Sequence, residues 1–184
     1  MPCSLAALNS VATCTNDGGG IARSFICNLA DITAVTLTSG VISGLTMAST
    51  GLWKALAYDK DDTAYFNQVG ARANAGAPYI ATQTAFLKFK GLSSAYTIAA
   101  NNMKDCCNVV VIHVLNNGTR FVQGIEIDAT AVGGFVGSKT DTRVIPSAMS
   151  DTGANQARLE MLIEGTTFSL APATSLTDSA ILAL

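Results

Sequence analysis

Charge is what this sequence has least of. Asp, Glu, Lys and Arg make up 13% of its 184 residues, about half the ~25% usual in soluble globular domains. Lys and Arg number 11 against 13 Asp and Glu, for a formal net charge of -2 and a pI near 5.2. A surface so poor in charge cannot keep copies apart by repulsion, which predicts that much of it is buried against other subunits. The few Lys and Arg form no cluster, so a basic face that grips nucleic acid by displacing counterions is excluded. Disorder is excluded too, because 49% of the residues are hydrophobic and disorder needs low hydrophobicity with high net charge.

Long apolar runs are also missing, although the mean hydropathy is +0.36. The longest strongly apolar stretch is Val109-Val110-Val111-Ile112-His113-Val114-Leu115. That is strand length, whereas a spanning helix needs roughly 20 residues. Met1 to Cys14 is moderately apolar but has no Lys or Arg before its apolar part, and a signal peptide has a basic leading region. Val11-Ala12-Thr13-Cys14 faintly echoes a lipoprotein cleavage box, and the missing basic region disposes of that as well. The expectation is a soluble chain made in the cytoplasm.

Histidine occurs once, at His113, inside the apolar run. The cysteines, Cys3, Cys14, Cys27, Cys106 and Cys107, form no C-x-x-C pair and with one histidine cannot assemble the usual zinc spacings. They read as reduced, buried thiols that pack as small hydrophobes. No G-x-S-x-G elbow is present, and His113 reads as a strand histidine facing a neighbour or solvent. Asp17-Gly18-Gly19-Gly20 lacks the spacing and the Lys-Ser/Thr of a phosphate loop. Asp59, Asp61 and Asp62 resemble the start of a calcium loop without its glycine and terminal Glu. Asn117-Gly118-Thr119 fits a glycosylation sequon but is fully explained as a turn. Arg158, Glu160 and Glu164 read as a solvated or interface face. No catalytic, cofactor-binding or metal-ligating residue is assigned, no cofactor is implied, and an enzyme is not expected.

What the sequence does have is β pattern. Short runs of Thr, Val, Ile and aromatic residues are separated by Gly, Asn, Asp and Ser. Strands are expected at Ile21 to Asn28 and at Ile32 to Thr38, which joins Val41 to Met47 through a tight turn at Ser39-Gly40. Further β runs are Leu52 to Tyr58, Thr63 to Asn74 and Pro78 to Lys90. In the last, Thr82, Thr84, Phe86, Lys88 and Lys90 share one face and Gln83, Ala85, Leu87 and Phe89 the other. Neither face is cleanly polar, which predicts a strand contacted on both sides. Ser93 to Cys107 reads as a helix, capped by Ser93 or Ser94, with Tyr96, Ile98, Ala99, Met103, Cys106 and Cys107 near helical spacing.

Asn108 to Leu115 follows as a central strand. Asn117-Gly118 predicts a two-residue hairpin turn, because such turns demand positive φ. The partner strand is Thr119 to Asp128, with Phe121, Ile125 and Ile127 on one side and Arg120, Val122, Gly124, Glu126 and Asp128 on the other. Gly133-Gly134 and Gly137 predict a flexible loop. Arg143 to Met149 is short and broken by Pro146, and Asp151 to Asn155 is a turn. Gln156 to Leu170 is a long strand in which Ala157, Leu159, Met161 and Ile163 oppose Arg158, Glu160, Leu162 and Glu164. The segment Ser175 to Leu184 ends in five apolar residues, Ala180 to Leu184, and is expected to dock on the protein or on an adjoining subunit. The organisation is one β-rich domain over 1–184, with an N-terminal arm at about 1–20 and an apolar C-terminal tail at about 171–184.

The order of helix Ser93 to Cys107, valine-rich strand Asn108 to Leu115, Asn117-Gly118, Phe121-Val122-Gln123-Gly124, glycine-rich loop and long strand Gln156 to Leu170 resembles virion structural proteins of tailed bacteriophages, especially tail tube proteins and their head–tail relatives. Ile32 to Met47, Trp53 and Tyr65-Phe66-Asn67-Gln68 are compatible with that layout, so the resemblance spans Ile21 to Leu170. It implies an antiparallel β-sandwich or half-barrel with one flanking α-helix. It also implies that six subunits join their sheets into a ring with a continuous inner β-barrel, and that rings stack into a tube through which DNA passes. The implied partners are copies of the chain itself, other virion proteins and, transiently, DNA in the lumen, with no membrane span. The implied location is the virion tail, after synthesis in the host bacterial cytoplasm. Ring closure would pair the exposed sheet edges. The family has no catalytic motif, so no functional residue carries over. The alternatives are a head–tail joining or capsid-decorating protein, or a non-viral β-sandwich ligand-binding module. The last usually displays exposed aromatics, and this chain has one Trp and 7% aromatic residues.

Overall fold

A computed structural model describes residues 20–49, 51–56, 64–90, 108–128, 131–145 and 158–184. Its strands are β1 (Ile21–Asn28), β2 (Ile32–Thr38), β3 (Val41–Met47), β4 (Lys54–Leu56), β5 (Tyr65–Ala71), β6 (Ile80–Lys90), β7 (Val109–Leu115), β8 (Arg120–Gln123), β9 (Ile125–Asp128), β10 (Ala131–Phe135), β11 (Lys139–Ile145) and β12 (Arg158–Thr167), followed by the helix α1 (Asp178–Leu182). The expected helix at Ser93 to Cys107, the arm over 1–19, the acidic turn Asp59 to Asp62, the turn Asp151 to Asn155 and the cysteines other than Cys27 lie outside the described residues.

The fold is mainly β and antiparallel, as the sequence predicts. Two four-stranded sheets, ordered β4-β1-β7-β8 and β11-β12-β6-β5, are accompanied by the two-stranded hairpins β2-β3 and β9-β10. The unbroken apolar run forms β7, buried on both faces from Val109 through Val114. Its alternation sends side chains into two separate cores. Val109 and Val111 meet Ala85, Leu87, Phe89, Leu159, Met161 and Ile163 of the facing sheet. Val110, Ile112 and Val114 meet Ile32, Ile42 and Leu45 of the β2-β3 hairpin, together with Trp53, Ile125 and Ile181. The β1-β7 layer is therefore the middle of a sandwich covered on both sides.

The alternation expected in β6 and β12 is present. Gln83, Ala85, Leu87 and Phe89 are buried, as are Leu159, Met161 and Ile163. The tight turn at Ser39-Gly40 is also as expected, with φ of 52° and 77° at the two central residues, which a two-residue hairpin with matching twist requires.

Four expectations need correction. The turn at Asn117-Gly118 is a three-residue loop: Gly118 N donates to Leu115 O and Leu115 N to Thr119 O, and only Gly118 takes positive φ, at 84°. Asn117 serves through its side chain, whose Oδ1 accepts from Thr119 N at 2.9 Å. The strand Thr119 to Asp128 is not continuous. It breaks at Gly124, where φ is 94° and an added Cβ would lie 3.0 Å from Val109 O. The break resets the alternation, so Val122 joins Ile125 in the core beneath β2-β3, while Phe121 faces Phe66. Gly133-Gly134 is strand rather than loop, because β10 pairs with β9 from Ala131↔Asp128 to Phe135↔Ile125. Finally, His113 does not face solvent; it is wholly enclosed, against Ser24 and Gln123 of its own chain.

The C-terminal segment docks on the protein itself. Thr177 caps α1 by accepting from Ala180 N, and Ile181 is fully buried among Ile42, Ile112 and Val122, whereas Leu182 stays exposed.

Candidate functional site

Two features stand apart from ordinary apolar packing: a sealed polar seam through the sandwich, and an open sheet face with two long edges. The seam begins at the cross-strand pair Ser24↔His113 of β1 and β7. Ser24 Oγ lies 2.9 Å from His113 Nδ1, and His113 Nε2 lies 2.9 Å from Gln123 Oε1. The amide of Gln123 then reaches across to the other sheet, where its Nε2 donates to Gln83 O at 3.1 Å and to Ile163 O at 3.0 Å. Gln83 continues the chain: its Oε1 accepts from Gly124 N and its Nε2 donates to Thr167 Oγ1. Ser24, Gln83, His113, Gln123 and Thr167 are all buried, and the His113 ring stacks on Phe66 with centroids 4.7 Å apart.

These contacts, with a ring kept neutral by burial, fix the tautomer. Gln123 Nε2 already donates to two carbonyls, so its Oε1 must face the histidine, and an amide oxygen can only accept. His113 Nε2 therefore carries the hydrogen, Nδ1 is an acceptor, and the Ser24 hydroxyl donates to it. Burial holds the ring neutral, pushing its pKa from 6.5 down to about 4 against a smaller opposing effect of the Gln123 hydrogen bond. Serine, histidine and amide are the group types of a nucleophile, a base and an orienter. Such a trio works only where a reacting atom can sit about 3 Å from the nucleophile, and Ser24 is 1% exposed. What the seam does is tie β1, β7 and β8 to β6 and β12.

The second feature is the outer face of the β11-β12-β6-β5 sheet. Tyr65 stacks on Phe86 at 5.8 Å, and Lys88 Nζ sits 5.8 Å from the centre of the Phe86 ring. Tyr65, Val69, Ile80 and Phe168 are large hydrophobic residues that remain exposed. Opposite charges are register partners across this sheet, Lys88 with Glu160 and Lys139 with Glu164. At the end of the same ladder two like charges, Lys90 and Arg158, are register partners. Arg158, Glu160 and Glu164, expected on a solvated or interface face, all lie on β12 of this sheet, where Glu164 is exposed but Glu160 is buried. Among the described residues its edge strands β5 and β11 pair only inward, with β6 and β12.

Cys27 is a buried thiol in the second core, pushed up to about 12 chiefly by burial and secondly by the Asp31 charge, so it stays protonated. Among the described residues no group of His, Cys, Asp and Glu could hold a metal ion, and no helix is long and apolar enough to cross a membrane. Sequence reasoning missed the seam. Its one available signal was Gln83, a polar residue at an inward position between Ala81 and Ala85. No protein-family model, no curated protein and no solved structure matches this chain.

Proposed function

We propose that this chain is a self-assembling virion structural protein, a tail tube subunit whose copies join edge to edge into rings that stack around a channel for DNA. The observation that carries the reading is the β11-β12-β6-β5 sheet. It has four antiparallel strands, so β5 and β11 run in opposite directions. An even count means that β5 of one copy laid beside β11 of the next, in the same orientation, continues the antiparallel ladder. Head-to-tail addition of that kind makes a heterologous contact, which closes into a ring when the rotation allows. Both edges are seven residues long and, among the described residues, unpaired on their outer side; long open edges are what monomeric β proteins avoid.

The composition supports the same reading. The scarcity of charge over the whole chain fits a protein whose surface is largely buried in an assembly. Electron microscopy of the purified protein tests the proposal. Rings or tubes with a central channel are expected; dispersed single particles at every concentration would overturn it.

A further inference from the structure

Sheet edges are dangerous in a self-associating β protein because any of them can accept a strand. The β4-β1-β7-β8 sheet ends in β8, and the chain covers that edge with its own C-terminal segment. Val122 N donates to Pro172 O at 2.9 Å and Thr174 N to Arg120 O at 3.1 Å, so residues 172–174 lie along β8 like a further strand. The other side of the same segment is used too, since Ile42 N donates to Ala173 O and Ser175 N to Ile42 O. The segment thus fills the gap between β8 and β3. Two anchors hold it down. Asp178 takes Arg23 at 2.9 Å and Arg120 at 3.1 Å, and Ile181 is buried in the core below.

We propose that Ala171–Leu184 is an edge guard, which closes β8 and so confines association between copies to β5 and β11. The inference rests on the proposed edge-to-edge assembly for what it protects, but not for whether it protects. At β4, the opposite edge of the same sheet, only three residues pair and the first is an exposed lysine, Lys54, the usual defence of an unguarded edge. The chain therefore treats the two edges of this sheet as edges to be shut, by different means.

The test is the full chain carrying Asp178→Ala and Ile181→Ala, compared with wild type by amide exchange at Val122, sedimentation velocity and electron microscopy. Faster Val122 exchange is expected, with irregular association at a concentration at least tenfold below that at which wild type associates. A synthetic peptide of residues 171–184 should reverse the association. Faster exchange with unchanged sedimentation and particle shape would overturn the proposal. So would unchanged exchange, because a cover that survives the loss of both anchors is a fixed part of the sheet. A chain ending at Leu170 gives a second reading: cooperative melting with irregular association is expected, and loss of cooperative melting would make the segment core rather than guard. If wild type stays monomeric while the double variant associates, the ring proposal fails and the guard stands.

Discussion

His113 donates from Nε2 to Gln123 Oε1 across 2.9 Å, with both side chains wholly buried. This bond joins two neighbouring strands, β7 and β8, and through the far end of the Gln123 amide it reaches the opposite sheet. Its neutral histidine has consequences for pH that can be signed. In the folded chain the ring titrates near 4, against 6.5 when free. Between those values the unfolded chain binds the extra proton, so stability rises with pH across that window. The full contribution is present above 6.5 and is lost as pH falls towards 4. A gap of that width between the folded and unfolded chain is worth about 3 kcal/mol. His113→Gln keeps a neutral donor and acceptor at the site, so its unfolding free energy should be flatter than wild type between pH 4 and 6.5. With only one histidine in the sequence, the difference between the two curves belongs to this residue. Parallel curves would contradict the assignment.

Replacing Gln123 by Met keeps bulk and removes the amide. Two carbonyls, Gln83 O and Ile163 O, would lose a donor each, and the His113 N–H would lose its acceptor. Leaving such groups buried costs about 1–3 kcal/mol apiece before any relaxation. Chemical denaturation of Gln123→Met should therefore show a loss of about 3 kcal/mol or more. A loss below about 1 kcal/mol would mean that the seam contributes little.

Two glycines at positive φ should respond differently. At Gly118, φ is 84° and nothing lies within 4 Å of an added Cβ, so Gly118→Val meets backbone strain alone, on the order of 1 kcal/mol or more. At Gly124, φ is 94° and the added Cβ would also press on Val109 O and Gly137. Gly124→Ala should therefore cost about 2 kcal/mol or more, despite being the smaller substitution. Thermal melts check the order of the two.

Ile181 and Leu182 are adjacent, and only the first is buried. Ile181→Ala should cost about 2–5 kcal/mol through lost burial and the cavity left behind. Leu182→Ala should stay within about 0.5 kcal/mol. Equal effects would mean that α1 does not dock as described.

Much of this architecture is legible in the sequence. The apolar run at 109–115 has to be buried on both faces, and the alternation in 158–167 assigns an inward face that the packing respects. Pattern fails where pairing overrides propensity. Gly133 and Gly134 have no side chains to favour a strand, yet their backbones lie in one because β9 is beside them. Gly124 looks like one more residue in an alternating run, and only the chain crossing at Gly137 and Val109 explains its left-handed turn. The tail announces its burial by being apolar, and Thr177-Asp178 ahead of it has the residue types that start a helix. The seam is the least visible, because Ser24, Gln123 and Thr167 sit far apart in sequence, and nothing local says that an inward polar side chain will find a partner.

The central claim is association of copies through open sheet edges, and sedimentation velocity over a micromolar concentration series tests it most directly. The account predicts species far heavier than the 18.9 kDa chain, growing with concentration and resolving into rings or tubes by microscopy. A single 18.9 kDa boundary at every concentration would contradict it.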